Sequence, residues 1–155
     1  MLCIPGPSLL DEALAAIVTH LVQQRGVGAR AEQADALSMS RILSWDTEGV
    51  ELICLCYLEA VTPAQIRYAI RRIRRRILKV SIIVASLGRP MSVPEDEAST
   101  AGAEFVQDSL RATVEKILAF ALTQSGQKTS LGTPVALMPS SVSLTDRALV
   151  GSQRN

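Results

Sequence analysis

Aromatic residues are scarce: tryptophan, tyrosine and phenylalanine make up 3% of the 155 residues, and there is a single histidine, His20. Base readout and single-strand stacking place aromatics among basic residues. Only Tyr68 lies among the bases here, which argues against nucleic acid as a partner. One mid-helix histidine, expected to be partly buried and structural, leaves Ser-His-Asp and Cys-His catalysis without support. The three cysteines, Cys3, Cys54 and Cys56, are an odd number and form no C-x-x-C, so neither a disulfide scaffold nor a zinc ribbon is indicated. They read as small core residues, with Cys54 and Cys56 on one face of a strand and Cys3 on the neighbouring one.

Other absences concern targeting and phosphate chemistry. No apolar run reaches the ~18 residues needed to span a bilayer. The start, "MLCIPGPSLLDEALAA", has no basic segment, and acids enter by Asp11, so it is not a secretory signal. The expectation is a soluble, cytoplasmic protein. A dinucleotide site needs G-x-G-x-x-G at the first turn, where backbone N–H groups approach pyrophosphate. The chain offers P-G-P-S, and the prolines remove donors where donors are needed. A P-loop is missing too. A phosphoacceptor receiver would need clustered acids after the first strand, an aspartate after the third and a lysine after the last; Glu59 alone stands roughly in place. No catalytic residue, metal site or cofactor is therefore predicted.

What is present is a chain of ordinary globular composition, 48% hydrophobic and 20% charged, long enough for one domain with a core. Charge is unevenly placed. Residues 1–65 hold eight acids and three bases, residues 66–89 eight bases and no acid, and residues 90–125 six acids and two bases. An acidic body with one basic band points to an anionic partner or to internal complementarity, without choosing between them.

The elements follow from local pattern. "LCI" (2–4) reads as a strand ended by Pro5-Gly6-Pro7. Ser8 can cap a helix with Asp11 and Glu12 in its first turn, Leu10, Leu14, Ile17 and Leu21 on one stripe, and Gly26 as its stop. "VGARAE" (27–32) is a candidate strand, and 34–45 a short helix or irregular connection. Seven of the eight residues from Leu52 to Glu59 are apolar without helical period, as in a parallel strand buried on both faces. Thr62, Pro63 and Gln65 form a capping box. In the helix that follows, Ile66, Ile70, Ile73 and Ile77 make the buried stripe. "VSIIVASLG" (80–88) is a second buried strand. Residues 89–102 are a polar connection with room for a short helix, "AEFVQ" (103–107) is a last strand, and 108–122 a helix with Leu110, Val114, Ile117 and Ala121 inward. The Ser-, Thr-, Gly- and Pro-rich remainder, 123–155, reads as a disordered tail.

Strand and helix alternate about five times within residues 1–122. Right-handed crossovers then give an α/β fold: a flavodoxin-like, doubly wound parallel sheet of about five strands in order 2-1-3-4-5, sandwiched as αβα. Ligands of such folds sit beyond the carboxyl ends of the strands, at the switch between the first and third. The candidate ligand-binding residues on that rim are Pro5, Gly6, Ser8, Tyr57, Glu59, Thr62, Ser86, Gly88 and Ser109. The basic band supplies a second candidate surface, Arg67, Arg71, Arg72, Arg74, Arg75, Arg76 and Lys79. It reads either as a plain solvated face or as a contact for an anionic membrane surface or an acidic partner.

"LCIPGPSLLDEALAAIVTHLVQQRGVGAR", "LICLCYLEAVTPAQIRYAIRRIRRRI" and "AGAEFVQDSLRATVEKI" together resemble a soluble C-terminal domain of some proteobacterial permeases of the autoinducer-2 exporter family, over residues 1–122. That domain in turn resembles the cobalamin-binding Rossmann-like domain. The resemblance implies a non-enzymatic accessory or regulatory module acting through protein contact or ligand sensing. A membrane permease is the partner it implies, at the inner face of the cytoplasmic membrane. It brings no cobalamin site. The family signature D-x-H-x-x-G after the first strand is replaced by Pro5-Gly6-Pro7-Ser8, and the later glycines reduce to Gly88. The membrane bundle of those permeases has no counterpart in these residues, so a detached module or a truncated gene product is expected.

Overall fold

A computed structural model describes residues 1–88 and 102–129, with side chains through Gln124. The elements in order are β1 (Leu2–Pro5), α1 (Leu9–Gln23), β2 (Arg30–Ala31), α2 (Met39–Leu43), β3 (Leu52–Tyr57), α3 (Pro63–Arg76), β4 (Ser81–Ser86), β5 (Phe105–Gln107) and α4 (Leu110–Thr129). All four strand pairings are parallel, and the sheet order is β2-β1-β3-β4-β5. This is the flavodoxin-like, doubly wound αβα arrangement that the alternation of elements predicts.

Register divides the core in two. Leu2 pairs with Ile53, Ile4 with Leu55 and Leu55 with Val84, placing these side chains on one face under α3, Ile42 and Trp45. Cys3 pairs with Cys54 and Cys54 with Ile83, on the opposite face under α1 and α4. A strand buried on both faces cannot alternate apolar with polar, which is why "LICLCY" is apolar throughout. The cysteine expectation holds. All three thiols are buried, with the sulfurs of Cys54 and Cys56 3.8 Å apart.

Both predicted helix starts are present. Ser8 and Thr62 each form a capping box, closed by Asp11 in α1 and by Gln65 in α3. Gly26 takes φ 83° just past α1, a conformation that favours glycine. The face of α1 differs from expectation. Leu10 and Ile17 stay about half exposed, and the helix buries Asp11, Leu14, Ala15, Val18, Thr19 and Val22 instead. Both stripes have helical period and share Leu14. The choice goes to the one carrying Asp11, whose carboxylate is tethered as described below. His20 falls on the outer side, exposed and bonded to Gln24, not partly buried.

In α3 the buried residues are Ile66, Ala69, Ile70 and Ile73. Ile77 lies past the helix in extended conformation and reaches the same core from the connection. Arg74, expected on the solvated basic face, braces this turn. Its guanidinium turns inward, donating to the carbonyls of Leu78, Val80 and Gly102 and lying 4.0 Å from the Glu104 carboxylate. It thus ties the α3–β4 turn to the segment entering β5. The final helix keeps its predicted inward residue, Ile117, adds buried Thr113, and runs to Thr129, past Leu122 where the tail was expected to start. The short helix considered for 89–102 and the tail beyond Thr129 lie outside the described residues, apart from Gly102.

Candidate functional site

The candidate site begins with a buried acid. Asp11 is 2% exposed although it belongs to the first turn of a surface helix. Its Oδ1 accepts the N–H of Leu58 (2.7 Å) and of Glu59 (3.2 Å), and its Oδ2 accepts the N–H of Ser8 (3.2 Å). One carboxylate therefore joins the β1–α1 turn to the β3–α3 loop, across the switch point of the sheet. Glu12 does similar work on the other side, accepting the N–H of Ala34 at 2.6 Å and holding the β2–α2 segment to α1. Gly6 sits beneath both Asp11 and the Tyr57 ring. A β-carbon there would stand 2.7 Å from Tyr57 Cδ1, so any side chain would prise the turn open.

These tethers frame a cleft of about 440 Å³ at the carboxyl ends of β1 and β3. Pro5, Gly6 and Pro7 form one wall, Ala34 and Leu37 a second, and Tyr57 with Glu59–Val61 the base of the loop. Ala64, Gln65, Tyr68 and Ala69 of α3 close the remaining side. The size falls within the range of small-molecule sites, ~300–1,000 Å³.

Of the nine predicted rim residues, Pro5, Gly6, Tyr57 and Glu59 line this cleft. The other five do not. Ser8 and Thr62 spend their hydroxyls on the helix caps, and Ser109 does the same for α4, accepting from Ala112 N at 3.3 Å. Ser86 is buried, its hydroxyl without a partner. Gly88 is a close approach of backbones, since a β-carbon there would lie 2.8 Å from the Leu58 carbonyl oxygen. Sequence reasoning missed Asp11, Glu12, Gln65 and the Ala34–Leu37 wall. The S-x-x-D spacing of Ser8 and Asp11 was visible and was read only as a cap.

Donor supply decides what the cleft can hold. Pro5 and Pro7 have no N–H. Gly6 N donates to the Cys56 carbonyl, those of Ser8, Leu58 and Glu59 to Asp11, and Thr62 N to Gln65 Oε1. Five of the rim's N–H groups, including those of both turns at the switch point, are thus taken by the protein's own carboxylates and carbonyls, while those of Ala60, Val61 and Ala64 are not among them. What faces the cleft is apolar wall, two tyrosine rings, the Gln65 amide and the carboxylates of Asp11 and Glu59, of which Glu59 is exposed. Burial, and then the charge of Asp11, push the Tyr57 phenol above the ordinary tyrosine range. No group of three or more His, Cys, Asp or Glu side chains among the described residues is placed to hold a metal ion.

The second candidate surface lies on α3 and is reduced by the inward turn of Arg74. Arg71, Arg75 and Arg76 are exposed and Arg67 and Arg72 half-buried, while Lys79 stands beyond the helix end. No helix among the described residues is long and apolar enough to cross a membrane.

No family model and no curated protein matches the chain. Among solved structures it resembles a protein from Burkholderia pseudomallei described as pilus assembly-related. The two share 15% identity over 82% of this chain and 89% of that one, with a TM-score of 0.51. The likeness supports the α/β fold.

Proposed function

We propose that the chain is a non-enzymatic ligand-sensing module that holds a small, largely apolar, neutral or cationic molecule in the cleft between β1 and β3. The observation that carries this reading is the prior use of the backbone donors of the two turns at the switch point, Gly6, Ser8, Leu58 and Glu59. A phosphate or nucleotide arriving there would meet the exposed carboxylate of Glu59, with that of Asp11 buried behind the wall, and no free N–H from Gly6, Ser8, Leu58, Glu59 or Thr62. An apolar body with a positive or neutral end would meet apolar walls and the exposed Glu59. The resemblance to a permease C-terminal domain makes a membrane permease the first partner to test, in the cytoplasm. The pilus assembly-related protein that shares the fold suggests assembly machinery as a second.

The test is a thermal-shift screen of the full chain, with native mass spectrometry of the protein as purified. Neutral and cationic apolar molecules are expected to raise the midpoint, since a ligand at 100 times its Kd contributes about 2.7 kcal/mol. Inorganic phosphate and nucleotides are expected to leave it unchanged. Ala64→Trp, on the exposed lip of α3, should abolish the response by filling the cleft, and Glu59→Gln should weaken cations alone. A shift by nucleotides that Ala64→Trp abolishes would place them in the cleft and overturn the reading, as would a response to apolar molecules that survives Ala64→Trp.

A further inference from the structure

The helix α3 carries a second stripe beside its buried one. Tyr68, Arg71, Arg72, Arg75 and Arg76 face α2 across a groove of about 330 Å³, whose other wall is Met39, Ile42 and Leu43. Their spacing, i, i+3, i+4, i+7 and i+8, puts them in one file along two turns. An ordinary solvated face does not combine what is found here. The groove's exposed surface is apolar, with Met39 72%, Leu43 69% and Tyr68 59% exposed. Its rim is cationic. Arg71 and Arg75 make no ion pair among the described residues. Arg72 donates to the Tyr68 hydroxyl and lies 5.6 Å from that ring's centre, and Arg76 reaches the Leu43 carbonyl at 3.5 Å. The guanidinium groups therefore lean over apolar surface.

Concavity separates the possible occupants. A bilayer is flat and would meet bases standing out from a convex face. Here the apolar side chains line a groove between two helices, a shape that an inserted helix fills along its length and a flat surface touches only at the rims. Arginine forks match carboxylates two hydrogen bonds at a time, and a file of them along a helix matches acids at helical spacing. We infer that the groove between α2 and α3 is a docking site for an amphipathic helix of a partner protein whose apolar stripe is flanked by aspartate and glutamate. Its apolar residues cover Met39, Leu43 and Tyr68, and its acids pair with Arg71, Arg72, Arg75 and Arg76. This is the helix-in-groove mode of recognition.

The probe is a fluorescein-labelled helical peptide with leucines at i, i+4 and i+7 flanked by glutamates, titrated with the full chain and followed by anisotropy. Two variants at exposed positions report on the two halves of the surface: Arg71→Glu with Arg75→Glu, and Leu43→Asp. Each is expected to keep the wild-type melting curve by circular dichroism and to weaken binding at least ~10-fold, the range of a modest interface hot spot. A scrambled peptide of the same composition should bind ~10-fold more weakly, and a lysine-for-glutamate version should not bind. Equal binding of the scrambled peptide, or indifference to Leu43→Asp, would reduce the groove to a charge patch and overturn the inference. So would retention on phosphatidylglycerol vesicles without peptide binding, which marks a membrane surface. A dimer in analytical ultracentrifugation that Arg71→Glu dissolves, again without peptide binding, would assign the groove to a second copy. Absence of all binding overturns it as well. Ala64→Trp and Glu59→Gln should not affect the peptide, so failure here and failure of the ligand reading are told apart.

Discussion

At the scale of single residues, Asp11 does what water would otherwise do for three part-buried backbone N–H groups. A carboxylate is well suited, since hydrogen bonds to an ionised acceptor are stronger than neutral ones. Asp11→Ala should lower stability by on the order of 2 kcal/mol, because a fully buried donor left unpaired costs ~1–3 kcal/mol and these part-buried ones will partly recover water. The thermal midpoint should drop by roughly 10 °C in a domain of this size. Asp11→Asn keeps an acceptor for Leu58 and Glu59 but turns its amide toward Ser8 N, so it should fall between. A melting curve for Asp11→Ala close to wild type would mean the loops are held by something else. Tyr57 offers a test by pH. Its phenol is held above the usual value by burial and by Asp11, so the folded chain keeps this proton to higher pH than the unfolded one. That contribution is fully present below the unfolded tyrosine value of ~10 and is lost as pH rises above it. In urea titrations between neutrality and strongly alkaline pH, Tyr57→Phe should lose less stability than wild type. Parallel losses in the two proteins would contradict the account.

At the scale of elements, α1 shows how a helix chooses its face. Its sequence is apolar on more than one side, and two stripes one residue apart both satisfy helical periodicity. Substitution distinguishes them. Ile17→Ser, at a position 48% exposed, should change stability by less than ~0.5 kcal/mol. Val18→Ser, at a position 0% exposed, should cost ~2–4 kcal/mol through lost burial and a hydroxyl placed among Cys3 and its neighbours. Equal midpoints in chemical denaturation would refute the assigned face. This is where the sequence was legible and where it was not. Caps and the two-faced burial of β3 and β4 follow from local spacing, each readable from a few adjacent residues, and strand order follows from the alternation of elements along residues 1–122. The rotation of α1, the inward turn of Arg74 and the Ala34–Leu37 wall depend on contacts between residues far apart in the chain. Asp11 reaches Leu58, Glu12 reaches Ala34 and Arg74 reaches Gly102. Periodicity within one helix carries no information about which of its polar residues finds such a partner. For the same reason the rim residues expected from the sequence include only Pro5, Gly6, Tyr57 and Glu59 of the lining of the cleft.

At the scale of the whole molecule, charge and shape divide into two working surfaces that share α3. The cleft side is acidic through Asp11 and Glu59, and the groove side is basic. Tyr68 lines both. A net charge of +1 hides this division. It implies that the groove arginines can be removed with little harm to the fold, because the shorter ties between elements run through Asp11, Glu12 and Arg74, and Arg76 adds only a long, exposed bond of 3.5 Å to the Leu43 carbonyl. Changing Arg71, Arg72, Arg75 and Arg76 together to Gln takes the net charge from +1 to −3, four charges fewer. Exposed charges contribute under ~1 kcal/mol each, and like charges along one helix repel, so the quadruple variant should melt within a few degrees of wild type. Arg74→Gln removes a single charge. It also removes donors from three carbonyls that fix the turn into β4 and the entry to β5, and should cost ~2 kcal/mol. Scanning calorimetry of the two variants beside wild type makes the comparison directly. One lost arginine should then outweigh four, since position in the network and not charge decides the effect. If the quadruple variant proves the less stable, the file of arginines supports α3 from within the fold, and the groove is part of the scaffold instead of a surface for a partner.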